Sequence, residues 1–274
     1  MPVFVSLSFD NTGNQYNLSA ILTNNAFDQA KYEKYSPMFL PIAYIFAYGA
    51  NFAINPAVLV HTFLWYRHDT VRQFRRTLKD EADIHAYLMR KYPEVPHWWF
   101  LTLGFLCLVL GIVTIEIYKI AFPIWAFVFG ILFAAVFVLP FGIIQAMTNQ
   151  QFYQAVLSEV IIGYILPGRP IYSMIFKTVA TDAATEAVSY CDSLKFGHYM
   201  KIPPRPIFIG QILSSVITII SSIVSQEWAL GHIPDICTPD QKDFFTCPGL
   251  KTYATASVIW GGIGPKRLYS HGSL

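Results

Sequence analysis

The chain has 274 residues, of which 54% are hydrophobic, 16% aromatic and 13% charged, with a formal net charge of +2. Ordinary globular domains carry roughly 25% charged residues, so the composition excludes a conventional soluble fold. So small a net charge also excludes nucleic-acid binding as the main task.

In chain order, residues 1–37 are polar and read as an extracellular loop. They lack the basic start and long apolar stretch of a cleavable signal peptide. Asn17-Leu18-Ser19 is a glycosylation sequon, which makes Asn17 a candidate for modification. Met38–Trp65 (residues 38–65) predicts a first membrane span, with Gly49 and Asn55-Pro56 marking a kink. Residues 66–98 form a basic loop carrying Arg67, Arg72, Arg75, Arg76, Lys79, Arg90 and Lys91. Trp99–Ile117 and Trp125–Ile144 predict a transmembrane hairpin over 99–144. Each run is about 20 residues long, enough to cross a hydrocarbon core of roughly 30 Å as a helix. Glu116 is the one charge in the pair and reads as a local partner of Lys119 or as a side chain snorkelling to the interface.

Residues 145–206 look broken. The apolar run Val156–Leu166 is too short to span and is stopped by Pro167-Gly168-Arg169-Pro170. Ile171–Val188 then resumes with Lys177, Asp182 and Glu186. Broken, partly polar segments persist in membranes only where protein or water surrounds them. Lys201-Ile202-Pro203-Pro204-Arg205 predicts a stiff, extended lead-in to a further span at residues 207–224. Residues 225–250 form a polar loop containing Cys237 and Cys247. Residues 251–274 look like an incomplete transmembrane end, Gly-rich and closing on Pro265-Lys266-Arg267. The fold class expected is all-α integral membrane: a polytopic helical transporter piece with broken or re-entrant segments.

Cytoplasmic loops carry an excess of Lys and Arg. On that rule residues 66–98, residues 145–206 and the terminal Lys266-Arg267 lie inside, and residues 1–37 and 225–250 lie outside. Cys237 and Cys247 then share an oxidising compartment, where a disulfide closing their loop is expected.

Several strings are more specific. Gly197-His198-Tyr199-Met200-Lys201-Ile202-Pro203-Pro204-Arg205 resembles a signature of the oligopeptide transporter family of fungi and plants. Phe9-Asp10-Asn11-Thr12-Gly13, Leu88–Pro96, Thr148-Asn149-Gln150-Gln151 and Ile161-Ile162-Gly163-Tyr164 agree in order, as do Pro167–Pro170, Ile236–Gln241, Phe245–Gly249, Ser257–Trp260 and Gly264–Arg267. The resemblance covers nearly the whole chain and implies a central-to-late piece of a longer protein with more helices. It implies proton-coupled uptake of short peptides, in some members glutathione-like, and a sister branch moves metal chelates. One departure stands out. After Asn149-Gln150-Gln151 the family commonly has Gly-Leu-Asn within a few residues, whereas this chain has Phe152-Tyr153-Gln154-Ala155. A non-transporting piece, or a partner of a full-length transporter, is the rival reading.

A proton-coupled carrier needs a titrating group within the membrane and polar groups for its cargo. Glu159, on the short broken segment, is the first candidate, and pairing with a base is the alternative role for it. Asp182 and Glu186 are about one turn apart on one helical face and either line an aqueous path or sit solvated at the surface. Asn149, Gln150 and Gln151 offer amide donors and acceptors for a peptide backbone, or cap a helix end. Lys201 and Arg205 read as interface anchors. No G-x-S-x-G, H-E-x-x-H, P-loop or dinucleotide fingerprint occurs, so an enzyme is not expected. No metal site or cofactor is expected either; the proton gradient supplies the energy. The partners expected are a short peptide, protons and the lipid bilayer, at the plasma membrane.

Overall fold

A computed structural model describes residues 3–5, 7–75, 84–120, 122–149, 154–238, 241–243 and 245–268. The candidates Gln150 and Gln151 lie outside the described residues, as do Phe152 and Tyr153 of the departure and Arg76 and Lys79 of the basic loop. The chain divides into two units. The first comprises Met1–Trp65, Trp125–Ala184 and Cys247–Leu274, and the second Tyr66–Ile124 and Thr185–Thr246.

The first unit begins with a small polar knot. The Asp10 carboxylate accepts from the Thr12 hydroxyl at 2.6 Å and from the amides of Thr12 and Asn14 at 2.9 and 3.0 Å. The buried Tyr16 hydroxyl donates to the carbonyl of Ser36 at 2.7 Å. Strands β1 (Leu22–Thr23) and β2 (Ala26–Phe27) pair antiparallel through Asn24 and Asn25, whose positive φ values suit a tight hairpin. Helix α1 (Gln29–Tyr35) is capped by Asp28, which accepts from the Lys31 amide at 3.2 Å.

The Thr12 hydroxyl holds Asp10 below the usual carboxylate range, and the Thr23 hydroxyl does the same for Asp28. A carboxylate with a lowered folded value stabilises the fold above its unfolded value of about 3.9 and loses that effect as pH falls through the folded value. The knot is therefore expected to loosen below about pH 4. Amide protection at Asn14 and Lys31, corrected for intrinsic exchange, should fall there, and Asp10→Asn should remove the pH dependence at Asn14.

Helix α2 (Ile42–Arg75) is 34 residues long and contains Pro56. The helix stays continuous through the expected kink site at Pro56. One proline removes a single backbone donor, and the helix carries on ten residues beyond the predicted end at Trp65. Helix α5 (Ile124–Thr148) likewise runs through Pro140. A third of its apolar window is buried, against 6% in the window of α2, so α5 is the wall on which this unit packs. Val58 of α2 meets Phe141 and Ile144 of α5.

Two short helices follow, α6 (Ala155–Ile165) and α7 (Pro170–Lys177). Their joint, Leu166–Arg169, turns at Gly168, where φ is +81° and a side chain would be strained. A wide π turn, Thr178–Asp182, leads from α7 into α8 (Ala183–Tyr199). The segment predicted to end at Val188 thus stays helical to Tyr199. Helix α10 (Pro248–Ser257) passes into a second π turn, Val258–Ile263, whose first five residues are buried. Tyr44, Val156, Ala256, Ile259 and Trp260 form the core that joins α2, α6 and α10.

Residues 1–37 meet the far end of α6 and the last helix of this unit: the Phe27 amide donates to the Gly168 carbonyl at 2.9 Å, and Arg267 donates to Gln29 at 2.7 Å and stacks over Phe27. With 11 residues, α6 is about 16 Å long, too short to cross, as expected.

The second unit holds α3 (Ile84–Met89), α4 (His97–Ile117), most of α8, and α9 (Pro204–His232). Phe208 is buried at the start of α9 between Trp99 and Phe100 of α4, at ring distances of 5.7 and 4.7 Å. The lead-in is extended only to Pro203; Pro204 and Arg205 already belong to the first turn of α9, where a missing proline N–H costs nothing. At its other end α9 continues to His232, taking residues 225–232 from the expected polar loop. Glu116 and Lys119 form no ion pair: Lys119, with φ +47°, lies beyond the end of α4. Cys237 and Cys247 are disulfide-bonded, while Cys107 and Cys191 are free thiols.

Candidate functional site

Helix α6 is apolar on the side that faces α2 and α10. Val156 and Ile162, three residues either side of Glu159, are both buried, and Glu159 shares their face. Its carboxylate is 3% exposed and accepts from Lys177 Nζ at 2.7 Å, with Lys177 15% exposed at the end of α7. The α6–α7 hairpin makes this meeting possible. Glu159 stands nine residues before Gly168 and Lys177 nine after it, so folding the chain at Gly168 sets the two opposite each other.

The pair lines a cavity of about 400 Å³ with Tyr44, Tyr48 and Asn51 of α2 and Gly249, Thr252 and Tyr253 of α10. Lys177 Nζ lies 4.6 Å from the centre of the Tyr253 ring, within reach of a cation–π attraction. The Tyr253 hydroxyl donates to the Met174 carbonyl at 3.0 Å and shares a 2.7 Å hydrogen bond with Thr178. The π turn starts immediately after Lys177. One turn later Thr181 meets Ser158 of α6 at 2.8 Å, which locks the hairpin behind the charge pair. Tyr44 and Tyr48 are hydrogen-bonded hydroxyl to hydroxyl at 3.3 Å, and the Tyr48 ring rests on Trp260. The cavity therefore offers one anion, one cation, three phenols and apolar walls, in the size range of small-ligand sites.

The other candidates are placed elsewhere. Asp182 ends the π turn and Glu186 lies in the first turn of α8, and both are exposed. Asn149 has φ +54°, is exposed and donates its amide to the Gln145 carbonyl, which makes it the terminator of α5. Lys201 bonds His85 and the His198 carbonyl, and Arg205 donates to the Glu94 carbonyl at 3.2 Å. Lys201, Ile202, Pro203, Pro204 and Arg205 thus act as a joint of the second unit. Asn17 is exposed, with its side-chain oxygen accepting from the amide and hydroxyl of Ser19. Lys177 is the cavity residue that linear reading did not pair with Glu159. The signal was there: a lysine in an apolar run, as far past a turn as a glutamate stands before it.

Among the described residues four helices are long and apolar enough to cross a membrane: α4, α5, α9 and α2 over Ile42–His68. With two broken helices meeting at a buried ion pair, they define a helical membrane protein of the transporter kind. The chain belongs to the oligopeptide transporter family, whose model (OPT oligopeptide transporter protein) matches residues 1–272. That sets it among transporters and apart from enzymes. It is 41% identical over 98% of its length to sexual differentiation process protein isp4 of Schizosaccharomyces pombe, covering 34% of that protein. It is 37% identical over 99% of its length to glutathione transporter 1 of the same yeast, covering 32%. To oligopeptide transporter 1 of Saccharomyces cerevisiae it is 38% identical over its full length, covering 34%. The chain thus spans about a third of the length of the curated relatives it matches. No solved structure matches it.

Proposed function

We propose that this chain is the part of a proton-coupled plasma-membrane importer that binds short peptides, and that its cargo site is the Glu159–Lys177 cavity. The observation that carries the reading is a buried, cavity-facing ion pair between two short, broken helices. Intramembrane charges are rare and mark substrate or proton paths. A short peptide carries a cation and an anion at its ends and two-way amides between them. Lys177 suits the carboxylate end, and the phenols of Tyr44, Tyr48 and Tyr253 both donate and accept and offer ring faces to the ammonium. Among its relatives, one is named a glutathione transporter and others oligopeptide transporters, which supports glutathione-like or similarly short cargo. Transport then proceeds by alternating access, the two sides of the cavity opening in turn.

The test is uptake of a labelled short peptide in peptide-transport-deficient yeast, with and without a proton gradient. The chain, its Glu159→Gln variant and a version extended to the full length of its relatives are compared. Gradient-driven uptake that falls at least about tenfold in Glu159→Gln is expected. Uptake that ignores the gradient, or an unaffected variant, overturns the reading.

A further inference from the structure

We propose that Lys177 is a shared cation that links cargo to proton: the terminal carboxylate of a bound peptide takes Lys177 away from Glu159, and Glu159 then takes up a proton. This rests on the reading of the cavity as a peptide site. Three observations carry it. First, both partners line one cavity, so an anion that enters meets the pair directly. Second, the two are unequally covered. Lys177 is 15% exposed and Glu159 3%, so the ammonium is the member an incoming group reaches. An ammonium has three donors, and the Glu159 contact uses one of them. Third, among the described residues no second cation lines the cavity. The titratable groups around the pair are the phenols of Tyr44 and Tyr48 on α2 and of Tyr253 on α10, with Asp182, a further acid, past the π turn.

A buried carboxylate that loses its only counter-ion is strongly disfavoured and regains neutrality by protonation. The exchange balances. The Lys177–Glu159 contact breaks and a Lys177–peptide carboxylate contact forms. One proton from solution bonds to Glu159. The peptide enters as a zwitterion, its ammonium with its carboxylate, so the one proton raises the net charge of the occupied site by one.

The test uses the purified protein in lipid nanodiscs with trialanine and trialanine amide as probes. Calorimetric titrations run in buffers of different ionisation heat, from about pH 5 to 7. Trialanine is expected to bind with uptake of about one proton, its affinity falling about tenfold per pH unit. The amide, which has no carboxylate, is expected to bind with no proton uptake and a flat pH profile. Glu159→Gln should bind trialanine without proton uptake, and Lys177→Met should no longer prefer trialanine over its amide. Equal proton uptake with both probes, no uptake with either, or uptake that persists in Glu159→Gln overturns the linkage and leaves the peptide reading standing. Failure of both probes to bind overturns the peptide reading, and the linkage with it.

Discussion

Lys177→Met is expected to lower stability by about 3–5 kcal/mol and to abolish uptake. The lysine stem lies against the Tyr253 ring, and methionine replaces most of its packing. What goes is the charge. Glu159 is then left 3% exposed with no cation, and an uncompensated buried charge costs more than the pair was worth. The sign is testable. Protonation of Glu159 relieves the penalty, so the variant should gain stability as pH falls. The wild type should gain less, because Lys177 already stabilises the charged form. Lys177→Met with Glu159→Gln should recover most of the loss, because neither charge remains. Thermal unfolding midpoints of the three proteins in detergent at two pH values check this. A double variant no more stable than Lys177→Met would show that the lysine acts through packing.

Gly163→Ala is expected to cost about 3 kcal/mol. Here α6 lies directly against the second π turn. A Cβ at this position would overlap the Trp260 carbonyl oxygen and come within 2.7 Å of Pro265 Cδ. Neither neighbour is the movable end of a side chain. Either α6 or the π turn must shift, and Trp260 is part of the core that holds the cavity wall in place. Gly142 in α5 is the control. A Cβ there meets nothing within 4 Å, and alanine in a helix interior is favoured over glycine by roughly 0.5–1 kcal/mol. Gly142→Ala should therefore match or exceed the wild type in the same unfolding assay. Equal effects at the two glycines would sink the close-approach account.

The spans were legible because about 20 apolar residues in a row have few alternatives in water or lipid. Their ends were not. Helices α2, α8 and α9 run past the apolar window to Arg75, Tyr199 and His232, since a helix needs its backbone paired, not its side chains apolar. Glu159 was legible as an acid within a short apolar run. Its partner was not, because Lys177 was judged along its own helix and the contact crosses a turn. The disulfide was open to inference from two cysteines in one polar loop. The positive φ of Asn149 accounts for its place at the end of α5.

The equal spacing of Glu159 and Lys177 about Gly168 makes the turn a ruler. Surface loops usually absorb insertions and deletions at little cost. Here the number of residues decides which side chain faces the cavity, because each residue added or removed rotates the rest of α7 by about 100°. With one residue fewer, Lys177 would occupy the place of Phe176, which is fully buried beside Phe129 and Phe133. A cation would be driven into that aromatic wall, and Thr178, which carries no charge, would stand where Lys177 meets Glu159. In this chain the length of the Leu166–Arg169 turn is as much a part of the site as the two charges it brings together.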